Sequence, residues 1–476
     1  MCTWLIWLAA GLLIYITQLA GILLLEHRRP AQMTAWLFIS FLFPIIGFMA
    51  YIMLGRKFTR SRRLDSYKLE TMEFACQMSE TVDAVQDVGN KQLEQQERLF
   101  AMLTGLAPFP ITSRNKTTVL TNGQSTFDSI LEQLEKARHH IHMDYYTIRD
   151  DHIGRRFLKV LVRKAKEGAQ VRVLYDGIGS LHISDSYICE LRAAGVETCC
   201  FLSPRIAFYD RKLNYRNHRK IVVVDGIVGF VGGINIGDEY LGKEPRLGFW
   251  RDTHMRLEGD SVYFLQELFL KDWAFAAKEK LDEHMYMPKH RCEGAERVQM
   301  VSSKPGHNDQ TIKEIMFAAM TAAKSRIYLT TPYFIPDPSL LMVLRTAALS
   351  GVDVKLIIPG IADSKLVLLA SLSYIQDMLD AGVRVYRYEK GFVHAKVMIV
   401  DQMLATVGTA NVDMRSLYSN FEINAVLFDE GTIKRLENDF IEDLHHCREL
   451  DLQQFKDRPW RQKAAESILH MLSPLL

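Results

Sequence analysis

Two short stretches hold the side chains that can do chemistry. Residues 218–235 read HRKIVVVDGIVGFVGGIN and residues 394–411 read HAKVMIVDQMLATVGTAN. His218 and Lys220 return 176 positions later as His394 and Lys396, and Asp225/Asp401, Gly232/Gly408 and Asn235/Asn411 keep the same offset. One H-x-K-x4-D is a common accident, but two copies in register are an internal repeat. On a strand, residues two apart share a face. A neutral imidazole beside an ammonium makes a poor metal site and a good phosphate site: the lysine neutralises non-bridging oxygens while the histidine attacks phosphorus or protonates a leaving oxygen. Two histidines suit a two-step displacement, one as nucleophile and the other as acid and then base. The repeat alone does not say which is which.

Asp225 and Asp401 each lie seven residues past their histidine. At roughly 3.3 Å per residue, an extended strand carries them about 23 Å away, and the odd spacing turns them to the opposite face. They are expected to close the turn at the strand end. The imidazoles still need a carboxylate to set the tautomer and stabilise the charged ring. Asp252 in FWRDTHMRLEG and Glu422 in SNFEINAVLFDE follow the two motifs in period-two alternation and are the candidates. Arg216 and Arg219, which flank His218, are expected at the phosphate or at the cleft rim.

The elements that must position these groups also repeat. EKARHHIHMDYYTI answers TAAKSRIYLTTPYFI, KEGAQVRVLYDG answers LSGVDVKLIIPG, and RAAGVETCCF answers LDAGVRVYRY. Each unit runs helix, strand, helix, strand, helix, strand, then the histidine motif and more strands. The expected fold is α/β, a mixed sheet flanked by helices. The boundaries are 106–290 for the first unit and 291–476 for the second, in a pseudo-two-fold arrangement with one shared active site. The first unit carries about eleven extra residues before its histidine, within SPRIAFYDRKLNYRN. ESILHMLSPLL at the C-terminus has a modest apolar face and is expected to pack as a helix on the second unit.

Residues 4–25 and 35–54 are uncharged apolar stretches, each long enough to cross a bilayer at roughly 20 residues per span. With the short loop between them they read as a transmembrane helical hairpin over 1–55, kinked near Pro44 and Gly47. Arg56, Lys57, Arg60, Arg62 and Arg63 follow, against Arg28 and Arg29 in the loop. The larger cluster stays inside, which puts both termini and the catalytic units in the cytoplasm. Residues 56–105 are a charged, partly helical connector. The 476 residues carry a net charge of only +2, so no large basic groove for nucleic acid is expected. The seven cysteines form no CxxC pair and no zinc spacing, and read as reduced thiols.

With both motifs in place, the chain resembles the phospholipase D superfamily. Its signature is met at His218, Lys220, Asp225, Gly232, Gly233 and Asn235, and at His394, Lys396, Asp401, Gly408, Thr409 and Asn411. Thr409 stands where that family usually has Gly or Ser, and Asp413, Arg415 and Ser416 match a D-x-R-S that follows the second motif. Within the superfamily, NYRNHRKIVVVDG, VGGINIGDEY, FWRDTHMRLEG, KDWAF, TPYFIPD, the terminal LSPLL and the N-terminal RRPAQMTAWL and YIMLGRK resemble bacterial cardiolipin synthases. The resemblance implies phosphatidyl transfer between two phosphatidylglycerols, giving cardiolipin and glycerol, without metal or cofactor and through a phosphatidyl-histidine. It assigns both H-x-K-x4-D sets to catalysis and makes His218 the nucleophile. Asn235 and Asn411 support the phosphate oxygens, Asp252 and Glu422 orient the rings, and Arg216, Arg219, Gly233, Thr409 and Ser416 are substrate-binding candidates. The expected partners are phosphatidylglycerol and anionic membrane lipids, and the expected place is the bacterial cell membrane, as a multi-pass protein. A phospholipase D-type hydrolase or a membrane-tethered phosphodiesterase would use the same residues.

Overall fold

The computed structural model describes residues 2–26, 30–55, 72–82, 84–204, 214–289, 292–305 and 310–475. Arg28, Arg29, the basic cluster at 56–63 and residues 205–213 of the extra segment lie outside the described residues.

Helix α1 (Cys2–Glu26) contains one stretch, Trp4–Glu26, that is long and apolar enough to cross a membrane. The second apolar stretch does not form the expected second span. It divides into α2 (Pro30–Leu42) and α3 (Pro44–Leu54), of 13 and 11 residues. At 1.5 Å per residue these reach about 20 and about 17 Å, short of the roughly 30 Å hydrocarbon layer. Pro44 explains the break: it lacks an N–H and pushes the preceding residue out of the helical region. Phe43 accordingly sits at φ −133°, ψ 76°. The two helices fold back on each other. The rings of Trp36 and Tyr51 lie 5.6 Å apart, where one continuous helix would separate them by about 22 Å. Gly47 permits the approach, because a Cβ there would come within 2.8 Å of the Ile39 carbonyl oxygen.

The rest is built on one mixed sheet whose strands are β1 (Ile111–Thr121), β2 (His140–Tyr145), β3 (Gln170–Asp176), β4 (Glu197–Phe201), β5 (Arg216–Asn217), β6 (Lys220–Val224), β7 (Val228–Gly232), β9 (Thr253–Gly259), β10 (Glu296–Ser303), β11 (Arg326–Thr330), β13 (Asp353–Pro359), β14 (Arg384–Tyr388), β16 (Val397–Val400), β17 (Leu404–Gly408), β19 (Asn420–Leu427) and β20 (Cys447–Glu449). The short strands β8 (Phe249–Arg251), β12 (Phe334–Ile335), β15 (Gly391–Val393) and β18 (Val412–Asp413) pair outside it. Strands β1 and β10 meet antiparallel at the centre, with Ile111 opposite Gln299. Outward from β1 come β9, β7, β6, β2, β3 and β4; outward from β10 come β19, β17, β16, β11, β13 and β14. The two sequence repeats therefore lay down the same strand order on either side of one junction. The strands β2–β3–β4 and β11–β13–β14 run parallel, as strand–helix–strand connections require. Their apolar faces are covered by helices such as Asn122–Lys136 and His152–Lys166 in the first unit and Thr311–Ala322 and Lys365–Asp380 in the second. At the junction, buried Val262, Leu265 and Phe269 of one helix and Ile433, Leu436 and Phe440 of another join a single apolar cluster with Leu257 and Ile423.

The connector is part of this core. Val85, Val88, Leu93, Leu99 and Leu103 pack into the apolar cluster of the second unit, and Asn90 Nδ2 donates to the carbonyl oxygens of Gln402, Met403 and Phe428. The C-terminal helix Trp460–Leu472 packs on the helix Lys365–Asp380, and Leu475 joins the small apolar cluster of Ile22, Trp36 and Tyr51. Cys76, Cys189, Cys199, Cys200, Cys292 and Cys447 are free thiols.

Candidate active site

Each histidine enters the site at the end of a short strand that borrows its partner from the other repeat. Strand β5, just before His218, pairs parallel with the start of β19, and the His218 N–H donates to the Phe421 carbonyl oxygen at 3.0 Å. Strand β15, just before His394, pairs parallel with β8, and the His394 N–H donates to the Arg251 carbonyl oxygen at 2.7 Å. Glu422 follows Phe421 and Asp252 follows Arg251, so each main-chain pairing delivers a carboxylate to the imidazole of the other unit. His218 Nδ1 lies 3.0 Å from Glu422 Oε2, and His394 Nδ1 lies 2.8 Å from Asp252 Oδ2. Both carboxylates are fully buried. The orienting residues named from the sequence are therefore present, but exchanged between the motifs they follow.

The carboxylates are themselves held. The Asn420 Nδ2 and Thr409 Oγ1 groups donate to Glu422, and the Thr253 N–H donates to Asp252 Oδ1 at 2.8 Å. Burial alone would raise both acids. For Glu422 the His218 ring and Lys220, and for Asp252 the His394 ring and Lys396, outweigh it and hold them below the usual carboxylate range. Burial, with the nearby lysines, lowers His218 to about 4 and His394 to about 3, so both rings are neutral at pH 7. Burial likewise brings Lys220 down to about 7 and Lys396 to about 8. Lys220 Nζ donates to the His218 carbonyl oxygen at 2.7 Å, and Lys396 Nζ lies 3.0 Å from His394 Nε2.

His218 and His394 line one cavity of about 1140 Å³, together with Arg216, Asn235, Asn411 and Ser416. Asn235 Oδ1 accepts from the Thr147 N–H at 3.2 Å and its Nδ2 donates to Tyr240 Oη at 2.7 Å. Asn411 Nδ2 donates to Asp413 at 3.0 Å. Leu54 of α3 and Leu475 of the C-terminal tail also line this cavity, so its wall includes the apolar N-terminal segment.

Asp225 and Asp401 stand apart from this site. Each sits at φ +54° in the turn after its strand. Asp225 accepts from the N–H groups of Arg138, His139 and His140, and Asp401 from those of Lys324, Ser325 and Arg326. They tie the turn to the strand below, which suits the turn reading and removes them from the catalytic set. Arg219 also leaves the proposed substrate set. Its guanidinium is buried against Asp272 and donates to the carbonyl oxygens of Glu422 and Ser303, bracing the two repeats. Gly233 and Thr409 act on the carboxylates and do not line the cavity. A Cβ on Gly233 would stand 2.1 Å from Asp252 Oδ1, and the Thr409 hydroxyl donates to Glu422.

Four aromatic residues of the cavity wall were not named from the sequence: Tyr146, Tyr240, Trp250 and Tyr333. The Tyr146 ring meets the His218 ring edge-on at 5.0 Å, and Trp250 lies 5.2 Å from His394. A signal was available for two of them, since YYTI and PYFI place Tyr146 and Tyr333 just after equivalent strands.

A family model described as "Cardiolipin synthase, PLD-like domain" matches residues 130–246 and 316–444, and a second, "Phospholipase_D-nuclease N-terminal", matches 5–56. The chain is 45% identical over 460 residues to a cardiolipin synthase of Geobacillus kaustophilus, covering 96% of this chain and 91% of that one. It is 44% identical to cardiolipin synthase 2 of Bacillus anthracis, covering 96% and 89%. Among solved structures, the phosphatidylserine synthase of Haemophilus influenzae superposes with a TM-score of 0.60 at 14% identity, over 80% of this chain and 100% of that one, and shows the shared fold. A fold shared at so low an identity leaves the chemistry to the near relatives, and these, matched over almost their whole length, make the chain a member of the bacterial cardiolipin synthase family of the phospholipase D superfamily, a membrane-associated phosphatidyltransferase.

Proposed function

We propose that the cavity transfers a phosphatidyl group from one phosphatidylglycerol to a second, with His218 as the nucleophile. His218 Nε2 attacks the donor phosphorus, the bond from phosphorus to the glycerol oxygen breaks, and His394 supplies the proton that oxygen takes. His394 then removes a proton from a hydroxyl of the second phosphatidylglycerol. That oxygen forms the new bond to phosphorus, the phosphorus–nitrogen bond breaks, and cardiolipin leaves with His218 restored. The observation that carries this reading is the crosswise pairing: a carboxylate on each Nδ1 leaves each Nε2 as the reacting nitrogen, and both rings face one cavity. Lys220 and Lys396 oppose the charge that builds on the equatorial oxygens, with Asn235 and Asn411 at the cavity wall. An anionic phosphate in the cavity favours the charged lysines and an imidazolium at His394, which takes from solvent the Nε2 proton it then delivers, while His218 attacks as the neutral ring.

Transfer wins over hydrolysis where lipid is concentrated and water scarce. Leu54 and Leu475 on the cavity wall support loading from the bilayer side. In this reading residues 106–290 and 291–476 are two units about a pseudo-two-fold axis. Helix α1 crosses the cell membrane, the α2–α3 pair enters and leaves on one side, and the catalytic units face the cytoplasm, held by the basic residues at 56–63, so the N-terminus lies on the opposite side and not in the cytoplasm as a two-span hairpin would put it.

The test is purified enzyme in phosphatidylglycerol vesicles with a metal chelator. Cardiolipin with one glycerol per molecule is the expected result. Phosphatidic acid in its place would make the enzyme a hydrolase.

A further inference from the structure

Cardiolipin carries two phosphates, and the histidine–lysine pairs account for one of them. The phosphate of the acceptor lipid stays intact throughout and is joined to the reacting centre by a single glycerol. It must lie in or beside the same cavity, and an anion there needs a partner.

The cavity wall holds five cations: Arg149, Arg216, Lys243, Arg246 and Arg415. Four are engaged. Arg149 pairs with Glu239 at 2.9 Å, Lys243 pairs with Asp238 at 3.1 Å, Arg246 donates to the Asp363 carbonyl oxygen, and Arg216 donates to the Tyr215 carbonyl oxygen. The Arg415 guanidinium has no hydrogen-bond or ion-pair partner among the described residues, although it is half-buried. It lies near enough to Tyr146 and Arg216 for its charge to be felt at both. Two neighbours on the same wall also carry unused polar atoms. Ser416 is 1% exposed and Asn411 4% exposed; among the described residues neither Ser416 Oγ nor Asn411 Oδ1 makes a well-aligned hydrogen bond, and Ser416 Oγ sits beside the Asp413 carboxylate on the same wall. A hydroxyl beside a guanidinium suits a phosphate oxygen, and an amide oxygen suits a glycerol hydroxyl.

The internal repeat supplies a control. At the shared offset, Asn411, Arg415 and Ser416 correspond to Asn235, Glu239 and Tyr240. In the first unit this corner is closed on itself: Asn235 donates to Tyr240 Oη, and Glu239 accepts from Arg149. The charge is reversed and the polar groups are satisfied. In the second unit Asp413 stands where the first has Gly237 and takes the Asn411 Nδ2 and Ser416 N–H groups, which leaves the Arg415 guanidinium as the cation of this corner without a partner among the described residues.

We propose that Arg415 and Ser416 form a second phosphate site, which holds the phosphodiester of the acceptor lipid while Asn411 takes its glycerol. The proposal rests on the transfer reading above. It separates two reactions of the same phosphatidyl-enzyme. Free glycerol is an acceptor without a phosphate, and its attack simply reverses the first step and regenerates phosphatidylglycerol. A second phosphatidylglycerol brings the phosphate that Arg415 would hold.

The experiment compares the full-length enzyme with its Arg415→Gln and Arg415→Lys variants in phosphatidylglycerol vesicles. Two rates are read: cardiolipin formation, and incorporation of labelled glycerol into phosphatidylglycerol. Loss of one charge-assisted contact should lower cardiolipin formation by roughly 10- to 100-fold in Arg415→Gln, through KM for phosphatidylglycerol as acceptor, while glycerol incorporation stays within about threefold. Retained incorporation also shows that the variant is folded. Arg415→Lys should recover part of the cardiolipin rate. An equal fall in both rates in both variants would place Arg415 at the donor phosphate or in the fold and overturn the proposal, as would no fall in either. Wild-type enzyme that incorporates no glycerol and releases phosphatidic acid would overturn the transfer reading itself.

Discussion

Glu422 belongs to the second repeat, yet its Oε2 lies 3.0 Å from Nδ1 of His218, in the first. The reciprocal pair, Asp252 to His394, closes at 2.8 Å. Neither unit thus contains a complete histidine–carboxylate pair. The two repeats line one cavity, each supplies the carboxylate that meets the other's histidine, and the buried Arg219, braced on Asp272 and the Glu422 carbonyl oxygen, helps to lock them together.

Glu422→Gln and Asp252→Asn should therefore each reach across the junction. The amide keeps the shape but donates where the ring needs an acceptor, so the tautomer is wrong. We expect kcat to fall by about a hundredfold or more in each variant, with little change in Tm. A variant that keeps wild-type kcat would remove that carboxylate from the mechanism.

The two histidines should fail differently. His394→Ala keeps the nucleophile and should accumulate a phosphatidyl adduct on His218, visible by mass spectrometry of the denatured protein. His218→Ala should form none. The opposite result would assign the nucleophile to His394.

The alkaline limb of the pH profile should belong to the lysines. Burial lowers Lys220 to about 7 and Lys396 to about 8, so the free enzyme loses an ammonium as pH rises through that range. Reactivity at low phosphatidylglycerol should decline from about pH 7 upward. Saturating substrate should move the decline to higher pH, because the phosphate charge favours protonated lysine. A limb that stays in place at saturation would argue against lysine–phosphate contact.

Gly233 and Thr409 occupy equivalent places in the repeats but support their carboxylates in opposite ways. Gly233→Ala should displace Asp252, since the added Cβ would meet Oδ1 at 2.1 Å. A loss of at least tenfold in kcat is expected for a misplacement of about 1 Å. Thr409→Val removes the hydroxyl that donates to Glu422 and should cost about 1–3 kcal/mol for the unsatisfied buried acceptor. Thr409→Ser should restore the activity. Failure of Ser to rescue would mean that Thr409 acts through its methyl group.

Asp225 and Asp401 are predicted to be stability residues. Each carboxylate accepts three backbone N–H groups, and replacement by Ala should destabilise the fold by about 3 kcal/mol or more. The loss should appear as a lower Tm, with near-normal kcat per folded molecule at low temperature. A large kcat loss at unchanged Tm would return them to the catalytic set.

Much of this protein is written plainly in its chain. The repeat of H-x-K at a constant offset marks the phosphate chemistry and the shared site, and period-two alternation around Asp252 and Glu422 marks them as inward carboxylates. The seven-residue spacing excludes Asp225 and Asp401 from the rings by length alone. These are local quantities, decided by strand rise and side-chain direction, and they need no knowledge of the partner unit. The exchange of the carboxylates is not local. It depends on β5 pairing with β19 and β15 with β8 across the junction, and both pairings join segments distant in sequence whose own patterns allow either partner. The same limit hid the fold-back: hydropathy reads 35–54 as one apolar length, while the break at Pro44 makes it two and the close approach of Gly47 to Ile39 lets the halves pack on each other. It also hid the difference between Arg219 and Arg415. Both are arginines beside a catalytic motif, and only tertiary contacts commit the first to Asp272 and leave the second uncommitted on the cavity wall.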